Sequence, residues 1–180
     1  MQLTDLEKKV YSWSEKSGIH AGSTWQKQIV KWEEEEQEYH DAKNDLEKMD
    51  SYGDQVVCLI NARDLYRGEF RAMDSRAGVR ECIENHDFMG AILAVLDAAK
   101  NDGYDPGECM KMAWDEIKDR AGLMVDGLFV KWESLSFTQR LGVAKSGRLK
   151  ELDSDEALEK LKRVCISPEW DQIVAVSERS

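Results

Sequence analysis

Apolar positions recur along this chain at helical spacing, with few interruptions. Thr4-Asp5-Leu6-Glu7 reads as a capping box, followed by Leu6, Val10 and Trp13 on one helical face and a stop at Gly18. Ser23-Thr24-Trp25-Gln26 opens a second helix that is expected to run to about residue 48, because Trp25, Trp32, Tyr39 and Leu46 repeat every seven residues with Ile29 among them. That stripe predicts packing against a partner helix rather than base stacking. A third helix over 50–62 sets Val56, Val57, Leu59 and Ile60 beside a polar line of Asp50, Asp54 and Asn61. Residues 63–85 are charged and less regular, and 88–99 form a strongly apolar helix. Asp105-Pro106-Gly107-Glu108 starts another, with Asp as N-cap and Pro in the first turn. It continues through Met110, Ala113, Trp114 and Ile117 to a stop near Gly122, with Lys118 and Arg120 in its last turn. Residues 123–133 look extended, with a turn within 125–131, and the polar stretch beyond Ser134 holds possible short helices at 154–163 and 168–176. The pattern predicts an all-α bundle over 1–133 with an appended, partly helical C-terminal segment over 134–180.

Composition narrows the class. Hydrophobic residues make up 42% and charged residues 34% of the 180-residue chain, the balance of a globular protein with one core. No apolar stretch approaches the length of a spanning helix, and the N-terminus lacks a basic-then-apolar leader, so no membrane partner is expected. A net charge of −11 argues against a nucleic-acid backbone as partner. Cys58, Cys82, Cys109 and Cys165 show no paired spacing, which predicts reduced thiols and a cytoplasmic setting.

The chemistry-bearing feature is Trp32-Glu33-Glu34-Glu35-Glu36-Gln37-Glu38-Tyr39, with five carboxylates in six residues. On a helix, residues three and four apart share a face, so Glu34, Glu35 and Glu38 converge and repel unless a cation sits among them. Oxygen ligands suit hard cations such as Mg²⁺ or Mn²⁺. A solvated helix face accounts for the same run. At 100° per residue, Glu35 lies about 60° and Glu38 about 120° from the aromatic stripe, while Glu36 falls inside it. Helical geometry alone leaves Glu35 and Glu36 open as the inward carboxylate. On the third helix, Asp50 and Asp54 are four apart, with Glu47 a turn earlier.

Taken together, these pieces resemble the MazG-like all-α nucleoside triphosphate pyrophosphohydrolases, especially their small phage members. The family pattern is a lysine, an EExxE helix and an ExxD-type acidic helix. Here the first part stands as Lys31-Trp32-Glu33-Glu34-Glu35-Glu36-Gln37-Glu38 and the second as Glu47-Lys48-Met49-Asp50-Ser51-Tyr52-Gly53-Asp54-Gln55-Val56-Val57. Ala113-Trp114-Asp115-Glu116-Ile117-Lys118-Asp119-Arg120-Ala121-Gly122 resembles the family's A-[YW]-x-E-I-K-x-R-x-G segment, and Gly127-Leu128-Phe129-Val130-Lys131 its G-x-F-V-K. Strict ExxD spacing would put a glutamate at position 51, which is Ser51; Asp50 resembles the phage variant D-x-x-G-D, with Glu47 as a further candidate. A literal ExxD, Glu84-Asn85-His86-Asp87, offers a second register. Residues 63–100 look like an insertion between family helices.

The resemblance implies two or more Mg²⁺ ions, with Mn²⁺ as a substitute, and cleavage of a (deoxy)nucleoside triphosphate to monophosphate and pyrophosphate. It assigns Glu35, Glu38, Asp50 and Asp54 as metal ligands, with Glu34 orienting or deprotonating the attacking water. Lys31, Lys118, Arg120 and Lys131 would hold the polyphosphate. It further implies a homodimer or homotetramer in the cytoplasm, the host's if phage-encoded. A purine such as dGTP or GTP is the expected substrate, as in the MazZ subgroup. The rival is a non-catalytic acidic helical adaptor; within the enzyme class, a phosphoribosyl-ATP pyrophosphohydrolase shares the helices.

Overall fold

The computed structural model describes residues 1–120 and 122–135. Seven helices occur there: α1 Leu3–Lys16, α2 Ile19–Gly22, α3 Trp25–Asp41, α4 Asp45–Leu65, α5 Val79–Glu84, α6 Phe88–Asn101 and α7 Pro106–Ile117. A two-stranded hairpin follows, β1 Gly122–Val125 and β2 Leu128–Lys131. The described residues are therefore mostly helical. Residues 1–120 with 124–129 form one compact unit; of a second, residues 122–123 and 130–135 are described.

Helix α4 is the axis of the first unit and packs against α3, α7, α6 and α1. Its interior run Val56, Val57, Leu59, Ile60 and Ala62 meets Leu6 and Val10 of α1, Trp32 of α3, Phe88, Ile92 and Val95 of α6, and Met110, Ala113 and Ile117 of α7. Residues that look like an insertion thus supply core: α6 buries five side chains, Phe88, Ala91, Ile92, Val95 and Ala99. Buried Trp32, and Trp25 set edge-on to Tyr66 and His86 at 5.7 and 5.0 Å, give the aromatic stripe its packing role. Cys58, Cys82 and Cys109 are buried free thiols. No helix among the described residues is long and apolar enough to cross a membrane.

Several boundaries differ from the pattern. Helix α1 starts at Leu3, so Thr4 lies inside its first turn and caps nothing; Gln2 is the N-cap, with no side-chain bond. Gly18, at φ 77°, does close this region, and the unexpected turn of α2 follows it. Thr24 is the N-cap of α3, its hydroxyl accepting Lys27 N–H at 3.4 Å. The helix nevertheless ends at Asp41, and Asn44 starts α4 by accepting Glu47 N–H at 3.0 Å. A capping residue in mid-pattern outcompetes the heptad. Leu46, the stripe's last member, is 66% exposed on the next helix. Asp105 caps α7 as expected, accepting Glu108 N–H at 2.8 Å, but α7 stops at Ile117, well short of Gly122. The extended stretch is a hairpin whose turn, Asp126 (φ 50°) and Gly127 (φ 82°), has the paired positive φ of the tight type I′ form. The helices expected at 154–163 and 168–176 lie outside the described residues.

Candidate metal centre

Two helices meet in one carboxylate cluster. Asp50 and Asp54 stand one turn apart on α4, and Glu116 reaches them from α7; ligand oxygens of the three lie within 4.8 Å of one another. The approach of α7 depends on Gly53. A Cβ there would sit 2.3 Å from the Cys109 carbonyl oxygen and 2.8 Å from Ala113 Cβ, so only glycine lets the two backbones close. Asp50 and Asp54 flank that contact on α4, and Glu116 lies one turn beyond Ala113. The glycine of the D-x-x-G-D stretch therefore does structural work beside the acids.

From α3, Glu35 and Glu38 add their charge. Burial, then the neighbouring Glu38 carboxylate, push Glu35 up to about 7. Asp54, deeper, is pushed up to about 8 by burial and then by Glu35, Asp50 and Glu116. Asp50 is raised by burial and by Glu116, with which it shares a hydrogen bond, and Glu38 contributes again. One buried oxygen of Asp54, Oδ1, has no hydrogen-bond partner among the described residues. An all-carboxylate donor set carrying an orphaned buried oxygen fits a hard divalent cation.

The acidic run divides its members. Glu36 turns away to Arg80 of α5, which also lies 3.9 Å from Glu33 and has its guanidinium 5.2 Å from the Trp32 ring centroid. That leaves Glu35 as the inward carboxylate of the pair. Glu34 is exposed and ion-paired to Lys31. Burial would lower the Lys31 ammonium, but the Glu34 bond and the charges of Glu34 and Glu35 outweigh it and raise the net value. The Ser51 hydroxyl donates to the Glu35 carbonyl and accepts from Gln55 Nε2 at 3.3 Å. Ser51 thus ties α3 to α4 directly beneath the cluster.

Two of the alternative ligands, Glu47 and Asp87, are otherwise employed. Glu47 accepts Lys43 N–H at 2.7 Å and Asn44 Nδ2 at 2.8 Å, fixing the start of α4. Asp87 caps α6, accepting Gly90 N–H at 2.9 Å, and also accepts Met73 N–H at 2.8 Å, while Glu84 is exposed. Of the four expected polyphosphate cations, Arg120 pairs with Glu116, and its charge opposes the upward shifts of Glu35, Asp50 and Asp54. Lys31 counteracts the shift of Glu35. Lys118 is instead held by Asp115 at 2.9 Å; Asp115 lines a groove with Lys9, Lys111 and Trp114 along α1 and α7. Lys131 is exposed at the end of β2.

Sequence reasoning missed Glu116. The signal was present in the A-W-D-E-I-K-D-R stretch, where the cations Lys118 and Arg120 drew the assignment and the acid just before them did not. Comparison with protein-family models, with curated proteins and with solved structures returned no match.

Proposed function

We propose that this chain is a MazG-like, divalent-metal-dependent pyrophosphohydrolase that cleaves a (deoxy)nucleoside triphosphate to the monophosphate and pyrophosphate. The observation that carries this reading is the meeting of Asp50, Asp54 and Glu116 within 4.8 Å, with the charge of Glu35 acting on Asp54, whose buried Oδ1 has no hydrogen-bond partner among the described residues. The order of the four sequence motifs supports it independently.

Asp50, Asp54 and Glu116 would hold the metal ions, with Glu35 and Glu38 as further ligands. When bound, Mg²⁺ or Mn²⁺ ions neutralise phosphate oxygens and lower the pKa of a bound water. The chain's own contribution is orientation. Helices α3 and α4, joined by Ser51, keep the two acidic faces opposed. Glu34, at the rim, takes a proton from the attacking water while Lys31 fixes its carboxylate. Arg120, with its forked donors, and Lys31, as a point charge, hold the leaving polyphosphate. A purine triphosphate such as dGTP or GTP is the proposed substrate, and a cytoplasmic homodimer or homotetramer the proposed assembly.

A malachite-green assay with added inorganic pyrophosphatase, run on the eight common nucleoside triphosphates, tests this. Phosphate release from a purine triphosphate is expected with Mg²⁺ and none with EDTA. No release from any of the eight with either Mg²⁺ or Mn²⁺ defeats the enzymatic reading and leaves the adaptor.

A further inference from the structure

Arg120 occupies an unusual position for a phosphate-binding residue. Its side chain is only 18% exposed and is ion-paired to Glu116, itself a member of the carboxylate cluster. Glu116 is also hydrogen-bonded to Asp50, so one carboxylate links the guanidinium to the Asp50–Asp54 turn. Lys31, the other cation near the acids, is engaged with Glu34. In the metal-free protein, Arg120 thus supplies positive charge to a cluster that would otherwise be self-repelling. Its backbone lies past the end of α7, with its N–H donating to the Ile117 carbonyl at 2.9 Å, so moving the side chain does not require unwinding the helix.

We propose that Arg120 is a placeholder cation, which leaves Glu116 when the carboxylates take up divalent ions and is thereby handed to the polyphosphate. This rests on the metal-dependent reading above and adds a coupling to it. A guanidinium and a divalent ion compete for the same oxygens of Glu116 and repel each other across a few ångströms. Displaced from Glu116, the fork remains at the rim, where its donors match phosphate oxygens. Anion capture then becomes conditional on metal loading, and a triphosphate meets a receptive arginine only at a site already able to cut it.

The arginine Nη–H signals of the full chain report this directly, because the Arg120–Glu116 bond runs through Nη2. The Arg120 signal is assigned by its loss in Arg120→Lys, and the protein is titrated with Mg²⁺ and then with inorganic tripolyphosphate. Mg²⁺ alone is expected to move the Arg120 signal and to speed its exchange with water about tenfold; tripolyphosphate should slow exchange again, but only after Mg²⁺. By calorimetry, Arg120→Met should bind Mg²⁺ as tightly as wild type or up to about tenfold tighter, while losing at least about tenfold in tripolyphosphate affinity. Arg120→Lys should recover part of that loss. In Glu116→Gln, the Arg120 signal should show fast exchange before any metal is added, which serves as the check if Arg120→Met fails to fold. Mg²⁺ binding to wild type with an unmoved Arg120 signal overturns the exchange and leaves the metal site standing. A joint fall of both affinities in Arg120→Met makes Arg120 a structural prop and also overturns it. No calorimetric Mg²⁺ uptake by wild type removes the metal reading itself, a result separable from the other two.

Discussion

Asp54 holds its proton up to about pH 8, and Glu35 to about 7, against ordinary carboxyl values near 4. The native state therefore binds protons that the unfolded chain has released between about pH 4 and 8, and metal-free stability falls as pH rises through that window. Replacing Asp54 with Asn removes the buried charge. In EDTA at pH 8, Asp54→Asn is expected to melt about 3 °C or more above wild type, roughly the shift of 1 kcal/mol for a chain of this size. The difference should vanish at pH 5, and calorimetry should find Mn²⁺ binding lost in the same variant. Unchanged melting at pH 8 would show that Asp54 is not electrostatically burdened. Glu38 is the complementary case, since it is exposed and contributes charge rather than packing. Glu38→Gln should abolish pyrophosphate release while leaving the oligomer intact by light scattering; wild-type turnover removes Glu38 from the ligand set.

At the scale of elements, the α4–α7 contact at Gly53 sets the geometry of the cluster. Gly53→Ala forces the helices apart, because the added carbon meets backbone as well as a side chain. A loss of about 2 kcal/mol is expected from overpacking, read by urea denaturation, together with weakened Mn²⁺ uptake. Gly78, whose added Cβ would meet nothing within 4 Å, provides the control, and Gly78→Ala should leave both quantities unchanged. The same contact marks what was legible in the sequence. Helices α4, α6 and α7 could be read, because apolar periodicity and the Asp105-Pro106 start both pointed to them. Glu35, Glu38, Asp50 and Asp54 stood out because their spacing is local to one helix or the next. Glu116 did not, since its partnership with Asp50 depends on a close approach of two helices far apart in sequence. The break at residues 42–44 was hidden for a related reason, as the heptad continued through it while Asn44 and Glu47 made a stronger local arrangement.

At the scale of the whole molecule, the carboxylate charge is balanced unevenly. Among the described residues, Arg80 is ion-paired to Glu36, Lys31 to Glu34 and Arg120 to Glu116, while Asp54 Oδ1 has no hydrogen-bond partner. Mg²⁺ should therefore raise the melting temperature more at pH 8 than at pH 5, and its affinity should tighten about tenfold between pH 6.5 and 8.5 as bound protons are displaced. A pH-independent affinity would place the ion elsewhere. Also on α4, Tyr52 donates its hydroxyl to Asp102 at 2.8 Å and Tyr39 of α3 donates to the same carboxylate, fastening the end of α6 to the α3–α4 hairpin. Burial and these bonds raise the Tyr52 phenol well above its usual value. Since the folded chain keeps a phenolic proton that the unfolded chain gives up, this fastening sets an alkaline ceiling on the fold above about pH 10. Tyrosinate absorbance from Tyr52 should then appear only together with cooperative unfolding, so an ultraviolet titration would time the opening of that corner.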